Sequence, residues 1–339
     1  SNYKIGSVHS GDSPFYSVTS QQDIMKFVSS AHTFGAHVIL FTTYHSLHKI
    51  ANNEFFVDTF YCDEAHNTTQ RNFFEATSVV AQQSRRKYFF TATPKMSAKH
   101  ERGMNNEDVY GNNLITVTAD ELLDCGAILP PTVNVHTVDT VRTREEVADI
   151  DAETVLRVIN ADDAERVLVS APSARIINAM MAFTDLFRDL RQADYNVMTI
   201  TSKHGAIING KKVNRETFFN IMNKWGSDPE KKFVMFHHSI LSEGMNVSGL
   251  TAAILMRNLD LITMAQTIGR VIRLDKSDAE KLKSGELKPQ SEGFKKPFGK
   301  MFVPVYNNVG ISTEKRLQNV VDTIFIKGEA QESIINRKK

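Results

Sequence analysis

FFVDTFYCDEAH, residues 55–66, decides the fold class. An apolar run of strand length ends in two adjacent carboxylates. Such a pair at the end of a buried strand is costly unless a cation or a water network uses it. Side chains alternate along a strand and splay at its end, so Asp63 and Glu64 can take different tasks. One suits a magnesium ion held through its water shell, and the other suits orienting and deprotonating an attacking water. A solvated loop that carries two acids is the competing reading.

Working outward, HVILFTTY (37–44) and KYFFTATP (87–94) also read as strands that end in small or polar residues. Helical patterns over 19–32 and 68–84 precede these two strands in turn, the second opening on threonines of the capping type. Strand–helix–strand spacing of this kind predicts parallel βαβ units and a sheet covered on both faces. Ligands bind such sheets beyond the carboxyl ends of the strands. Residues 116–148 break the rhythm at Gly126 and Pro130–Pro131 and are expected to be a linker. The alternation then resumes with helix 151–160, strand 166–172, helix 173–192, strand 196–200, helix 214–225, strand 232–238, strand 251–256 and helix 261–273. Residues 275–300, rich in Lys, Gly, Ser and Pro, read as a mobile insertion, and a strand at 301–306 and an amphipathic helix near 312–326 follow. The expectation is an α/β protein of two domains with parallel sheets, 1–115 and 149–339.

Composition fits that plan. The 339 residues exceed what one core usually serves, and 41% hydrophobic with 23% charged residues argues against a disordered chain. No run of eighteen apolar residues occurs, so no membrane partner is expected. SNYKIGSVHSGD (1–12) lacks the marks of a secretory signal, and Cys62 and Cys125 are too few for a disulfide framework. A cytoplasmic, intracellular protein is expected. The net charge is +1, with the excess of basic residues in the last sixty-five, a weak pointer to a polyanion. The histidines at 32, 37, 45, 48, 237 and 238 show no metal-ligand spacing.

Further residues keep company with the acids. Thr91-Ala92-Thr93 ends the next strand, as a strand-end cap or as hydroxyls beside the carboxylates. Ser242-Glu243-Gly244 follows a strand, and Gly244 would let backbone approach a ligand. Gln266, Arg270 and Arg273 recur at i, i+4 and i+7, which predicts one helical face carrying an amide and two guanidinium groups. Without an acid among them, the arginines call for an anionic partner; a solvated surface helix is the alternative.

In this order, the residues resemble the superfamily-two helicases of the DEAD/DEAH-box group, with a restriction-subunit flavour. Asp63 to His66 is similar to motif II, Thr91 to Thr93 to motif III, Ser242 to Val247 to motif V and Gln266 to Arg273 to motif VI. FTTYHSL (41–47) resembles motif Ib and LVSAPS (168–173) stands where motif IV belongs. ADELLDCGAILPP (119–131) resembles the helix and turn that leave the first domain in restriction-subunit helicases. The resemblance implies two RecA-like domains with ATP and Mg²⁺ in the cleft between them. It implies that Asp63 acts on Mg²⁺ and Glu64 on the hydrolytic water. His66, Thr91 and Thr93 would couple phosphate state to closure. Arg270 and Arg273 would reach the γ-phosphate, with Gln266, Glu243, Gly244 and Gly269 completing the nucleotide site. Single- or double-stranded nucleic acid, DNA favoured, would meet Thr42, Thr43, Ser170 and Ser242. Asn246 stands where motif V commonly has Asp.

The same family needs a G-x-x-x-x-G-K-[ST] loop upstream of the acids, whose amides cradle phosphates. None occurs in residues 1–62, so a first domain truncated at its amino terminus is expected, with KIGSVHS (4–10) as its next strand and further domains in a larger polypeptide. GAIINGKK (205–212) matches the loop except at its last position and reads either as a basic loop or as a phosphate site. Two functions therefore stand: an ATP-dependent helicase or translocase, and a non-catalytic binding module that keeps the helicase fold.

Overall fold

The structure is a computed structural model. It describes all residues except 1, 10–12, 53–54, 99–100, 139–143, 163, 239–246, 248, 257–258, 260, 307–314, 316–317, 320, 323–332 and 335–339. The chain forms two compact units, Ser1–Ile115 with Glu332–Lys339, and Thr116–Gln331.

The first unit runs β1 (Tyr3–Val8), β2 (Tyr16–Ser17), α1 (Gln21–Thr33), β3 (His37–Thr42), α2 (His48–Ala51), β4 (Val57–Cys62), α3 (Arg71–Gln83), β5 (Ser84–Phe89), β6 (Lys95–Met96) and α4 (Glu107–Tyr110). Ser20 starts α1 by accepting from the Asp23 amide, which satisfies one of the free donors of a helix start. Helix α3 buries Phe73, Ala76, Thr77, Val80 and Ala81, the 3–4 spacing of one helical face. It begins three residues later than the sequence suggests. Residues 65–69 form a 3₁₀ turn instead, in which Thr68 and Thr69 donate to the carbonyls of Ala65 and His66.

The strands expected in one sheet form two. β2–β1–β3 is a parallel three-stranded sheet and β4–β5 a parallel pair, joined by a common core rather than by a ladder. Val8 and Leu40, together with Phe60, face Ile24, Ile50, Ala76 and Val80 of the three helices. Alternation turns the next residues outward, so Ile39, Phe41 and Tyr61 are exposed.

The second unit runs α5 (Ala119–Asp124), β7 (Pro131–Val138), α6 (Arg144–Asp162), β8 (Arg166–Ser170), α7 (Ala174–Phe183), α8 (Leu186–Gln192), β9 (Asn196–Thr201), β10 (Gly205–Ile208), β11 (Lys211–Val213), α9 (Arg215–Gly226), β12 (Phe233–His237), β13 (Ala252–Leu255), α10 (Leu261–Val271), α11 (Lys276–Ser284) and β14 (Gly299–Tyr306). A last strand, β15 (Ser333–Ile334), pairs with β6 in the first unit. Eight strands order as β11-β10-β9-β12-β8-β13-β14-β7, parallel except for the β10–β11 hairpin. Val167 and Val169 of β8 face α6–α8, while Leu168 faces the α9 side. With both faces covered, every residue of β8 and β12 is buried, as the continuous apolar runs predict.

Four expectations change here. Residues 116–148 are not a bare linker: they hold α5, closed by a Thr118–Glu121 capping box, and edge strand β7, whose Pro131 sits at a strand start where no ladder amide is required. Helix 173–192 breaks at Thr184, whose hydroxyl takes the Leu186 amide and donates to the Met180 carbonyl. Residues 275–300 contain α11, capped by Asp275 and ended by Gly285 in the left-handed region. Residues 205–212 are a hairpin turning on Asn209–Gly210, both at positive φ, and its ladder consumes the amides that a phosphate loop would present. The helix near 312–326 lies largely outside the described residues.

Gly249 precedes β13 at φ +71, and a Cβ there would clash with the Gly226 carbonyl oxygen. Gly249→Ala is expected to cost on the order of 3 kcal/mol, through backbone strain and a clash with main chain. Gly210→Ala, at φ +82 with open space around it, is expected to cost about 1 kcal/mol. Urea midpoints of the two variants check the order.

Candidate active site

Strand β4 delivers Asp63 and Glu64 just past its carboxyl end. Glu64 adopts φ 49, ψ 44, a left-handed conformation that a side chain with a Cβ resists. Neighbouring groups hold the turn. The Glu64 amide donates to Asp63 Oδ1 at 2.9 Å, Ala65 N donates to the Phe90 carbonyl, and the Tyr44 hydroxyl donates to the Asp63 carbonyl. Asp63 itself is exposed.

His66 is 3% exposed, and its Nδ1 lies 2.9 Å from Thr91 Oγ1, 3.4 Å from Thr93 Oγ1 and 3.5 Å from Glu64 Oε2. Four expected site residues, Glu64, His66, Thr91 and Thr93, thus meet at one ring nitrogen. Burial foremost, and then the charge of Lys95, push the imidazole down to about 4. The ring is neutral near pH 7, so its Glu64 contact is polar rather than an ion pair.

Tyr44, Cys62 and Lys95 escaped the sequence reading. Tyr44 lies against Cys62 Sγ at 3.6 Å, and burial raises the phenol well above its ordinary range and the thiol to about 11. The one signal was the position of Tyr44 right after the Thr42–Thr43 strand end. Thr42 donates to the carbonyls of Val8 and Thr43, and Thr43 is exposed.

In the second unit, Ser170 ends β8 fully buried. Its Oγ meets His237 Nε2 at 2.7 Å and Thr267 Oγ1 at 3.2 Å. The hydroxyl is enclosed by protein and ties the strand end to α10. Burial, Arg270 and His238 together push His237 down to about 3. Arg270 is buried at 7% exposure, while Gly269 is exposed with open space beside its Cα. Helix α10 stops at Val271, so Arg273 falls in the turn beyond it, exposed, and the expected single face holds only for Gln266 and Arg270. Ser242, Glu243 and Gly244 lie outside the described residues.

A magnesium ion fits the acids by chemistry. It takes one or two carboxylates and completes its shell with water and phosphate, and among the described residues no three His, Cys, Asp or Glu side chains form a closed metal cage. No helix among the described residues is long and apolar enough to cross a membrane.

No protein-family model matches the sequence, and no curated protein matches it. Solved structures do. The ATP-dependent Type ISP restriction–modification enzyme LlaBIII bound to DNA superposes with a TM-score of 0.67 at 15% identity, over 98% of this chain and 26% of its own. A fragment from Vibrio vulnificus YJ016 assigned as an HsdR subunit of a type I restriction enzyme gives 0.57 at 16% identity, over 98% of this chain and 57% of its own. The chain shares the α/β fold of these two enzymes. A point variant of S. cerevisiae Dbp5 bound to RNA and ADP BeF3 gives 0.50 at 12% identity, over 98% and 78%. The chain spans about a quarter of the first of these proteins and under two thirds of the second.

The neutral state of His66 gives a pH dependence of stability. Unfolded, the ring titrates near 6.5; folded, near 4. Between those values the unfolded chain binds a proton that the folded chain does not, so stability falls as pH drops through that window and the loss is complete below about 4. His237 acts in the same direction down to about 3. Urea midpoints across the window should fall less steeply for His66→Gln than for the parent. Equal slopes would rule out the neutral-imidazole account.

Proposed function

We propose that the chain is the two-domain motor part of an ATP-dependent nucleic-acid helicase or translocase, working within a larger polypeptide. The observation that carries the reading is the meeting of His66 with Thr91 and Thr93 behind the Asp63–Glu64 pair, in a fold whose likenesses include ATP-dependent and nucleic-acid-bound proteins.

In this reading Asp63 holds Mg²⁺, which when bound neutralises phosphate charge. Glu64 accepts the proton of the attacking water, with its carboxylate held beside the His66 ring. His66 transmits position between the two strand ends through Thr91 and Thr93, and it does so as a neutral ring. Arg270 and Arg273 stabilise charge on the terminal phosphate, with Gln266, Gly269, Glu243 and Gly244 beside the nucleotide. Thr42, Thr43 and Ser242 touch the nucleic acid. DNA is the favoured substrate, on the strength of the DNA-bound restriction enzyme among the similar structures. The phosphate loop comes from polypeptide joined to this chain, since the one look-alike, 205–212, is a hairpin.

Nucleic-acid-stimulated ATP hydrolysis tests the assignment, measured on the chain and on the chain joined to upstream polypeptide that carries a phosphate loop. The joined form should hydrolyse ATP, Glu64→Gln should lower the rate about 100-fold or more, and Arg270→Ala should lower it about 1000-fold. Hydrolysis by neither form would replace the motor with a non-catalytic nucleic-acid-binding module.

A further inference from the structure

A helix leaves its last carbonyls without partners inside the helix, and at the end of α10 the carbonyl of its last residue and those of the two residues beyond it are taken from outside. Lys296 Nζ donates to the Val271 carbonyl at 2.5 Å and to the Arg273 carbonyl at 2.8 Å. The Leu129 amide donates to the Ile272 carbonyl at 2.7 Å. Arg270 immediately precedes this cap, and Arg273 is one of its acceptors.

Lys296 is itself held. Asp278, 1% exposed in the first turn of α11, accepts the Lys295 amide on one carboxylate oxygen and the Lys296 amide on the other, each at 3.1 Å. Asp275 caps α11 through Ser277 and lies 3.8 Å from Lys295 Nζ. One carboxylate therefore grips two successive peptide groups and delivers the next side chain to the helix end. Burial pushes the Lys296 amine down to about 7, against the pull of Asp275 and Asp278. A lysine tucked in at that electrostatic cost, with its nitrogen on two main-chain oxygens, is not a solvated surface charge.

We propose that Lys296 is a positioning residue for Arg270 and Arg273: its side-chain nitrogen closes the carboxyl end of α10 and so fixes where the two guanidinium groups stand. The proposal rests on the reading of α10 as the phosphate-contacting helix. A donor at a helix carboxyl terminus is favourable in its own right, and its protonated form more so; here it takes the Val271 carbonyl at the helix end and the Arg273 carbonyl in the turn beyond. Segment 275–298 then acts as a bracket for the arginine helix, built on Asp278.

The arginine Nε–Hε resonances of the full chain report on this without turnover. Lys296→Met should shift or broaden the Arg270 and Arg273 signals while those of Arg157 and Arg175 stay in place, and Lys296→Arg, which keeps a cationic donor, should restore them in part. Should Lys296→Met fail to fold, Asp278→Asn keeps the ammonium group but weakens its grip, and the same two signals should move. Unchanged Arg270 and Arg273 signals would overturn the proposal, as would equal change at all four arginines, the mark of general loosening. Mg-ATP added to the parent form joined to its phosphate loop separates the two claims. If neither arginine signal responds to nucleotide, the phosphate-contacting role of α10 fails, whatever the Lys296 variants show.

Discussion

The imidazole of His66, buried between the hydroxyls of Thr91 and Thr93, fixes how the first unit presents its acids. Glu64 brings its carboxylate to the His66 ring from a left-handed backbone, which costs about 1–2 kcal/mol for a side chain with a Cβ. A net hydrogen bond contributes about 1 kcal/mol, so no single contact offsets that strain with margin. The turn is held by several at once: the Glu64 and Ala65 amides, the Tyr44 hydroxyl and the His66 ring one residue later. Removing the ring would also leave the buried Thr93 hydroxyl short of a partner. The acids and the threonines therefore form a single mechanical unit spanning the ends of β4 and β5.

A similar solution recurs in the second unit. Ser170, His237 and Thr267 join the ends of β8 and β12 to α10 through buried polar contacts. In both places a neutral histidine lies near a cation, Lys95 or Arg270, and a charged ring would repel it in a setting that screens poorly. Low proton affinity here follows from burial first and from that cation second. Helix α10 is thus held on its flank by Thr267 and at its end by Lys296 and Leu129, two independent constraints on the helix that carries Arg270.

Much of this was legible in the sequence. The apolar runs at 166–172 and 232–238 read as strands and 68–84 as a helix, and the structure has β8, β12 and α3 within those spans. The acid pair and the threonines announced themselves as polar groups at apolar strand ends. The Ser170–His237 contact left no mark, because a serine at such an end reads the same whether it faces solvent or a buried histidine. HVILFTTY misled in a different way: an unbroken apolar run predicts two covered faces, yet Ile39 and Phe41 are exposed. The Asn209–Gly210 pair was a hairpin signal, overlooked because the glycine and lysine spacing around it imitated a phosphate loop.

Segment 275–298 marks the boundary of what composition can tell. Lysine, glycine, serine and proline count as solvated or chain-breaking when each is weighed by its own preference for water or for turns. Order in this segment comes instead from main-chain groups: the amides of Lys295 and Lys296 on Asp278, and the carbonyls of Val271 and Arg273 on Lys296. Burying a carboxylate costs several kcal/mol unless its oxygens find donors, and Asp278 finds two on adjacent peptides. Which lysine among so many would be drawn inward depends on where Asp278 stands in α11 and on where α10 ends. Both are facts of three-dimensional placement, and neither leaves a periodicity in the sequence.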